Sequence, residues 1–150
     1  MGSRISVYKQ AARRTGCASV EEWLAKREQG LNWCVRCKAW LHRDVFHADK
    51  SRLYGLQQYC KPCAKIRGAA CRYKLSESDA VRLTTADCCE ICGRSGVKFE
   101  IDHDHVTGFV RGVLCSRCNG ALGQFLDSEE MLLKAVQYLR LKQERSVGHG

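Results

Sequence analysis

Four cysteines, Cys34, Cys37, Cys60 and Cys63, recur at a constant offset of 55 residues as Cys89, Cys92, Cys115 and Cys118. Each set reads CxxC, 22 residues, CxxC. A chain of 150 residues divided between two such units has little apolar volume for either core, so each unit needs a staple. Thiols supply one as disulfides in an oxidising compartment or as metal ligands in a reducing one. The first residues, Met1 to Gln10, carry Arg4 and Lys9 and lack the continuous apolar stretch of an export signal, and no stretch has the length of a membrane span. The expectation is a soluble, cytoplasmic protein without a membrane partner. Its paired thiols then read as two structural zinc sites, Cys34, Cys37, Cys60 and Cys63 in the first and Cys89, Cys92, Cys115 and Cys118 in the second. Cys17, Cys71 and Cys88 are left over, and the plain reading of all three is that of small buried residues.

Charge divides the chain in the same way. Residues 31–75 hold ten basic and two acidic side chains, whereas residues 76–126 hold five and seven. With a net charge of +9, this asymmetry predicts that a polyanion is gripped by the first part and worked on by the second. Lys50, Arg52, Lys61, Lys65 and Arg67 are the candidate DNA contacts. His42 and His47 could replace a thiolate, but four cysteines already complete a tetrahedron. Trp23, Trp33 and Trp40 have two readings, stacking on bases or packing within the module, and packing is the commoner.

Local signals predict the frame. Ser19 and Glu22 form a capping pattern for a helix over 17–29 that Gly30 ends. Ser76 with Asp79 opens a second, short helix, and Ser128 a third whose Leu132, Leu133, Val136, Leu139 and Arg140 are expected to bury one face. Phe99 to Asp102 alternate as a strand, Thr107–Gly108 supply a turn, and Phe109 to Leu114 form the return strand. A helix from Asn119 to Phe125 then packs back on that hairpin. The expected domains are a helical arm over 1–30, a zinc-ribbon-like module over 31–72, a second domain over 73–145 and a disordered tail over 146–150.

The repeat is its own control, because a structural zinc loop needs no ionisable groups between its cysteine pairs. The second loop holds Asp102, His103, Asp104 and His105 where the first has His47, Ala48, Asp49 and Lys50, and Asn119 where the first has Ala64. Phosphodiester cleavage needs a nucleophilic water, a proton acceptor and positive charge. The Asp102 carboxylate and the Asn119 amide oxygen suit a hard cation such as Mg²⁺ or Mn²⁺. An imidazole such as that of His103 takes a proton near neutral pH. Adjacent strand residues point to opposite faces, so Asp102 and His103 converge only if the strand ends or bends between them. Asn119 also has a structural reading, as the N-cap of the helix after CxxC.

The stretch Cys89 to Phe125, "CEICGRSGVKFEIDHDHVTGFVRGVLCSRCNGALGQF", resembles the recombination endonuclease VII family of HNH (His-Me finger) nucleases in its CxxC, DHDH, TGxVRGxLCxxCNxxLG order. The resemblance implies a small zinc-stabilised α+β protein, with a ββα-metal nuclease domain preceded by a four-cysteine zinc-ribbon-like module and an N-terminal helix. It also implies that Asp102 binds the catalytic metal, His103 is the general base, Asn119 is the second metal ligand and His105 assists at the phosphate or leaving group. Arg111, in the "VRG" element, is taken as a phosphate contact. Glu100 departs from the family, some members of which have histidine there, and Leu122 stands where the junction resolvase has a glutamate. The implied substrate is duplex or branched DNA, and a homodimer is an open assembly. The competing reading is a non-catalytic zinc adaptor that docks on DNA.

Overall fold

A computed structural model describes residues 2–52 and 54–147. The chain divides into two compact units, Met1–Ala80 and Val81–Gly150. The first begins with helices α1 (Gly2–Arg14) and α2 (Val20–Glu28). Strands β1 (Leu31–Cys34) and β2 (Ala39–His42) then pair antiparallel, as do β3 (Phe46–Ala48) and β4 (Leu56–Cys60), and helix α3 (Lys61–Tyr73) follows. Helix α4 (Glu77–Thr84) leads into the second unit, which consists of the antiparallel pair β5 (Phe99–His103) and β6 (Val110–Cys115), then α5 (Ser116–Gln124) and α6 (Glu129–Val147).

The caps follow the sequence closely. Ser19 Oγ accepts from the backbone N–H of Glu22 at 3.1 Å, and Ser76 Oγ accepts from that of Asp79 at 3.1 Å. Gly30, with φ +77°, turns the chain out of α2 because the left-handed conformation costs it nothing. Helix α1 lies within the helical arm expected over 1–30, although only the helix over 17–29 carries a capping signal. It is held by the core it forms with α2, where Ala12, Cys17 and Trp23 are buried against Tyr8, Val20 and Tyr54.

The 55-residue repeat is a repeat of structure. In both units a strand ends on a cysteine, Cys60 or Cys115, and the next residue opens a helix that carries the fourth thiol, Cys63 or Cys118. Lys38 N–H donates to the Cys34 carbonyl and Gly93 N–H to that of Cys89, each from a positive-φ residue 55 apart. Val35 N–H reaches the Gln58 carbonyl as Glu90 N–H reaches that of Val113, again one offset apart. The cores are correspondingly small. Cys34, Phe46, Cys60 and Cys63 make one, and Cys89, Leu114 and Cys115 another, with Phe99 and Leu122 packed on it.

Four expectations are corrected. The C-terminal helix leaves most of its stripe uncovered among the described residues: Leu132 is half-buried, but Leu133, Val136 and Leu139 are 55%, 42% and 59% exposed. Of the spare thiols only Cys17 is buried, whereas Cys71 and Cys88 are exposed. Asn119 is not a cap, since α5 starts three residues before it with Cys115 as its N-cap. Finally, α6 runs to Val147, so two residues of the expected tail are helical, and 148–150 lie outside the described residues.

Candidate nuclease site between a hairpin and a thiol-anchored helix

Each cysteine quartet brings its four sulfurs within 4.8 Å of one another. Tetrahedral zinc with bonds of about 2.3 Å requires sulfurs about 3.8 Å apart. The Cys37–Cys60 and Cys92–Cys115 separations are both 3.8 Å, and Cys34–Cys60 is 3.6 Å. Cys37–Cys63, at 3.2 Å, would open by about half an ångström around such an ion, and all eight are free thiols, so each quartet can hold zinc with only small side-chain shifts. The electrostatics are prepared as well. The backbone N–H of Cys92, assisted by those of Cys115 and Ile91, lowers the Cys89 thiol to about 6. At Cys34 burial works against ionisation, but N–H donors from Cys37, Cys60 and Arg36 outweigh it and bring the thiol to about 7. Cys37 and Cys118 are pushed up to about 12, the first chiefly by its sulfur neighbour Cys63 and the second chiefly by burial. A cation is what lets the whole quartet ionise.

The second quartet pins β6 and α5 together, and the hairpin ahead of α5 presents the polar residues. Pairing runs in register from Phe99–Cys115 to Asp102–Gly112 and then shifts to His103–Val110, which leaves Arg111 as the extra residue of a β-bulge. The bulge lies in β6, opposite the step from Asp102 to His103, at which β5 itself ends. Gly112 sits at this shift. A Cβ there would lie 2.3 Å from Glu90 Oε2, and Glu90 Oε1 accepts from the Val113 N–H at 2.9 Å, so only glycine admits this brace.

Asp102 is 6% exposed, and its carboxylate receives a bidentate pair of bonds from Arg111, Nε at 2.8 Å and a terminal nitrogen at 2.9 Å. The same terminal nitrogen also reaches Asp127 Oδ2 at 3.2 Å. These two carboxylates raise the pKa of Arg111, with Asp102 the larger cause. Asp127 reaches this point because Leu126 and Asp127 both adopt positive φ, 56° and 54°, in the turn between α5 and α6. That conformation is strained for residues with a side chain, and no sequence signal announced it.

Asn119, one turn into α5, donates its amide Nδ2 to Glu100 Oε2 at 3.1 Å. Glu100 shares a strand face with Asp102, two residues on. Its other oxygen accepts from Ser116 Oγ at 3.1 Å, and that hydroxyl first, then Lys98 and Asn119, holds the Glu100 carboxyl below its ordinary range. Because the carboxylate takes the NH₂ end of the amide, the carbonyl Oδ1 of Asn119 is left for another partner. Asp102 and Asn119 thus engage different residues here, Arg111 and Glu100. His103 is half-buried, and its ring lies 4.9 Å from that of the exposed His105, tilted at 52°.

Asp104 has a structural task. Its Oδ1 accepts from the Val106 N–H, the Thr107 N–H and the Thr107 hydroxyl at 2.7–3.0 Å, while its own N–H donates to the Phe109 carbonyl. Asp49 does the same 55 residues earlier, accepting from Ser51 and donating to the Gly55 carbonyl. The DHDH run therefore mixes one loop-forming aspartate with side chains that the first unit lacks.

The other candidate residues lie in the first unit. Lys61 and Lys65 share an exposed face of α3 with Arg72, opposite the buried Cys63, Ile66 and Ala69. Arg67 stacks on Tyr59, with its guanidinium carbon 5.1 Å from the ring centre, and Lys50 and Arg52 are exposed in the β3–β4 loop. His42 is likewise exposed and pairs with Asp44 at 3.0 Å, away from the thiols.

Residues 70–141 match the family model described as recombination endonuclease VII. The Gene 59 protein of Mycobacterium phage D29 is 50% identical over 56 residues, 35% of this chain and 34% of that protein. Its counterpart in Mycobacterium phage L5 is 46% identical over 55 residues, again 34% of its length, so the chain spans about a third of the curated relatives it matches. Among solved structures, the ββα-Me type II restriction endonuclease Hpy99I is 26% identical, covering 75% of this chain and 66% of that one, with a TM-score of 0.38. No described helix is long and apolar enough to cross a membrane.

Proposed function

Given that residues 70–141 match the recombination endonuclease VII family, a nuclease family, we propose that the chain is a metal-dependent DNA endonuclease of the HNH type. One observation carries this reading. The two units share the same thiol turns, hairpin, Asx loop and following helix, yet only the second has an aspartate, a histidine and an asparagine at the positions filled by His47, Ala48 and Ala64 in the first. A DNA-docking adaptor would have no use for that difference.

In this reading Asp102 and the Asn119 Oδ1 hold one Mg²⁺ or Mn²⁺ through oxygen donors, the chemistry such an ion prefers. When bound, the ion supplies positive charge to the phosphate oxygens and acidifies water. Asp102 would be the anionic ligand, and the carboxylate of Glu100, by taking the Nδ2 end of the Asn119 amide, would leave its oxygen available as the second donor. His103 accepts the proton of the attacking water, and His105 acts at the phosphate or the leaving oxygen. Arg111 neutralises Asp102 in the metal-free protein and has Asp127 as a second anchor when that carboxylate is taken by metal. The bulge that makes Arg111 the extra residue supports this exchange, because that residue is outside the regular pairing.

The proposed substrate is duplex or branched DNA, gripped through Lys50, Arg52, Lys61, Lys65 and Arg67. The exposed apolar stripe of α6 supports a homodimer, and the phage relatives support action in the cytoplasm of an infected bacterium. Plasmid nicking tests the assignment. Cleavage is expected only with Mg²⁺ or Mn²⁺, and His103→Ala should lower the rate by about 10²–10⁴-fold, the usual contribution of a general base, with DNA binding retained. Cleavage unaffected by this substitution would remove His103 from the chemistry.

A further inference from the structure

All three tryptophans of the protein line one cavity in the first unit, far along the sequence from the proposed cleavage residues. Trp33 and Trp40 sit directly across from each other in the β1–β2 hairpin, so they share the face opposite to Cys34 and Leu41, which turn to the thiol core. Their rings meet edge to face at 5.8 Å and 65°. Trp23 is buried in the helical core beside Tyr54, but Trp33 and Trp40 are only half-buried, and their open side faces a cavity of about 660 Å³. That volume lies within the range of small-ligand pockets and admits a nucleotide.

The polar lining has one sign. Arg14, Arg27, Lys38 and Arg52 border the cavity, and no carboxylate does. Arg27 is occupied, hydrogen-bonded to Asn32 and stacked on Tyr54 at 4.3 Å. Arg14 and Lys38 are exposed and form no ion pair among the described residues. The Tyr54 hydroxyl is itself buried, with Tyr8 as its neighbour, so the cavity is lined by the ring of Tyr54 rather than by that oxygen. An aromatic wall bordered by cations without ion-pair partners among the described residues matches a base and its flanking phosphates.

We propose that this cavity is a second nucleic-acid site, which binds single-stranded DNA by stacking an unpaired base on Trp33 and Trp40 while Arg14 and Lys38 take the adjacent phosphates. A duplex cannot use it, because both faces of each base are covered by neighbours in the stack. Such a site would bias the enzyme toward DNA with an unpaired segment. The choice of DNA rests on the proposed endonuclease function, but the cavity needs neither the divalent metal nor the second unit's side chains.

Tryptophan fluorescence reads the site directly, since every indole in the protein borders it. The zinc-loaded full chain, without Mg²⁺ or Mn²⁺, is titrated with a thymidine oligomer, a duplex of equal phosphate content and a uridine oligomer. The thymidine oligomer should quench emission and bind more tightly than either of the others. Trp33→Ala should weaken it about 5- to 150-fold, the loss of one stacked base, with Trp33→Phe restoring much of the affinity. Lys38→Gln leaves the aromatic wall intact and should lower the salt dependence by about 0.7 in log–log slope, one single-strand phosphate contact. His103→Ala should bind the oligomer as wild type does, so a failed cleavage mechanism would leave this result standing. Equal quenching by duplex, preference for the uridine oligomer, or affinities unmoved by both Trp33→Ala and Lys38→Gln would overturn the proposal.

Discussion

Replacing Arg111 with methionine should have two effects of opposite sign. The Asp102 side chain is 8% exposed and that of Arg111 32%, so their bidentate pair lies between a surface ion pair and a fully buried one. Surface pairs contribute about 0–1 kcal/mol and breaking a buried pair costs about 3–5, which puts this one at about 2 kcal/mol. Arg111→Met leaves a buried carboxylate without its cation, and in a unit of this size the loss should lower the melting temperature of the metal-free protein by roughly 8–16 °C. In the wild type, a divalent ion that takes Asp102 must first displace the guanidinium. Removing the guanidinium removes that cost, so Mn²⁺ affinity should rise by up to about thirtyfold. Thermal denaturation with and without Mn²⁺, and calorimetric titration of the ion, measure both effects. A destabilised variant whose Mn²⁺ affinity is unchanged or weaker would refute the idea that Arg111 and the metal compete for Asp102.

Glu100→Ala should release the Asn119 amide and weaken Mn²⁺ binding by about tenfold, the value of one hydrogen bond to a charged group, whereas Glu100→Gln, which can still accept from Nδ2, should lose less. Equal affinities in titration would show that Asn119 needs no such partner. Gly112→Ala forces Glu90 away from β6 and should destabilise the second unit by about 1–3 kcal/mol in denaturant melts, while Gly120→Ala, where a Cβ meets nothing within 4 Å, should not. The Cys89 thiol sits at about 6 in the folded chain against 9.0 ordinarily, a depressed value. Its contribution to stability is therefore full above pH 9 and is lost as pH falls through about 6. Zinc held by this quartet should likewise escape to a chromogenic chelator faster at pH 5.5 than at 7.5, and a flat profile would mean that these thiolates do not hold the ion. Complete zinc removal should unfold both units, visible as loss of far-ultraviolet circular dichroism.

The sequence carried those features whose causes are local. Cysteine spacing defined both quartets, Ser19, Ser76 and Gly30 marked helix ends, and the comparison of one repeat with the other singled out Asp102, His103 and Asn119. What depended on nonlocal geometry was not visible. Asp127 lies in no motif and reaches Arg111 only because two residues adopt left-handed backbone after α5. The role of Glu100 became apparent only when α5 brought Asn119 over the hairpin, although its departure from the family pattern marked the position. The stripe on α6 misled for a general reason. Periodicity says which residues share a face, not whether anything covers it, and Leu133, Val136 and Leu139 remain exposed. Asp104 belonged to a run that reads as a cluster of reactive groups, yet the matching bonds of Asp49 in the first unit show that it shapes the loop.

Cleavage as proposed depends on an oxygen-lined cation site at Asp102 and Asn119, served by His103. Crystals soaked in Mn²⁺ and measured at the manganese edge test it most directly. The expected result is an anomalous peak bonded to the Asp102 carboxylate and the Asn119 Oδ1, with Arg111 drawn off toward Asp127 and the His103 ring facing the ion. A protein that cleaves DNA in the same Mn²⁺ solution while its crystals show no peak there, with Arg111 still bidentate on Asp102, would contradict it.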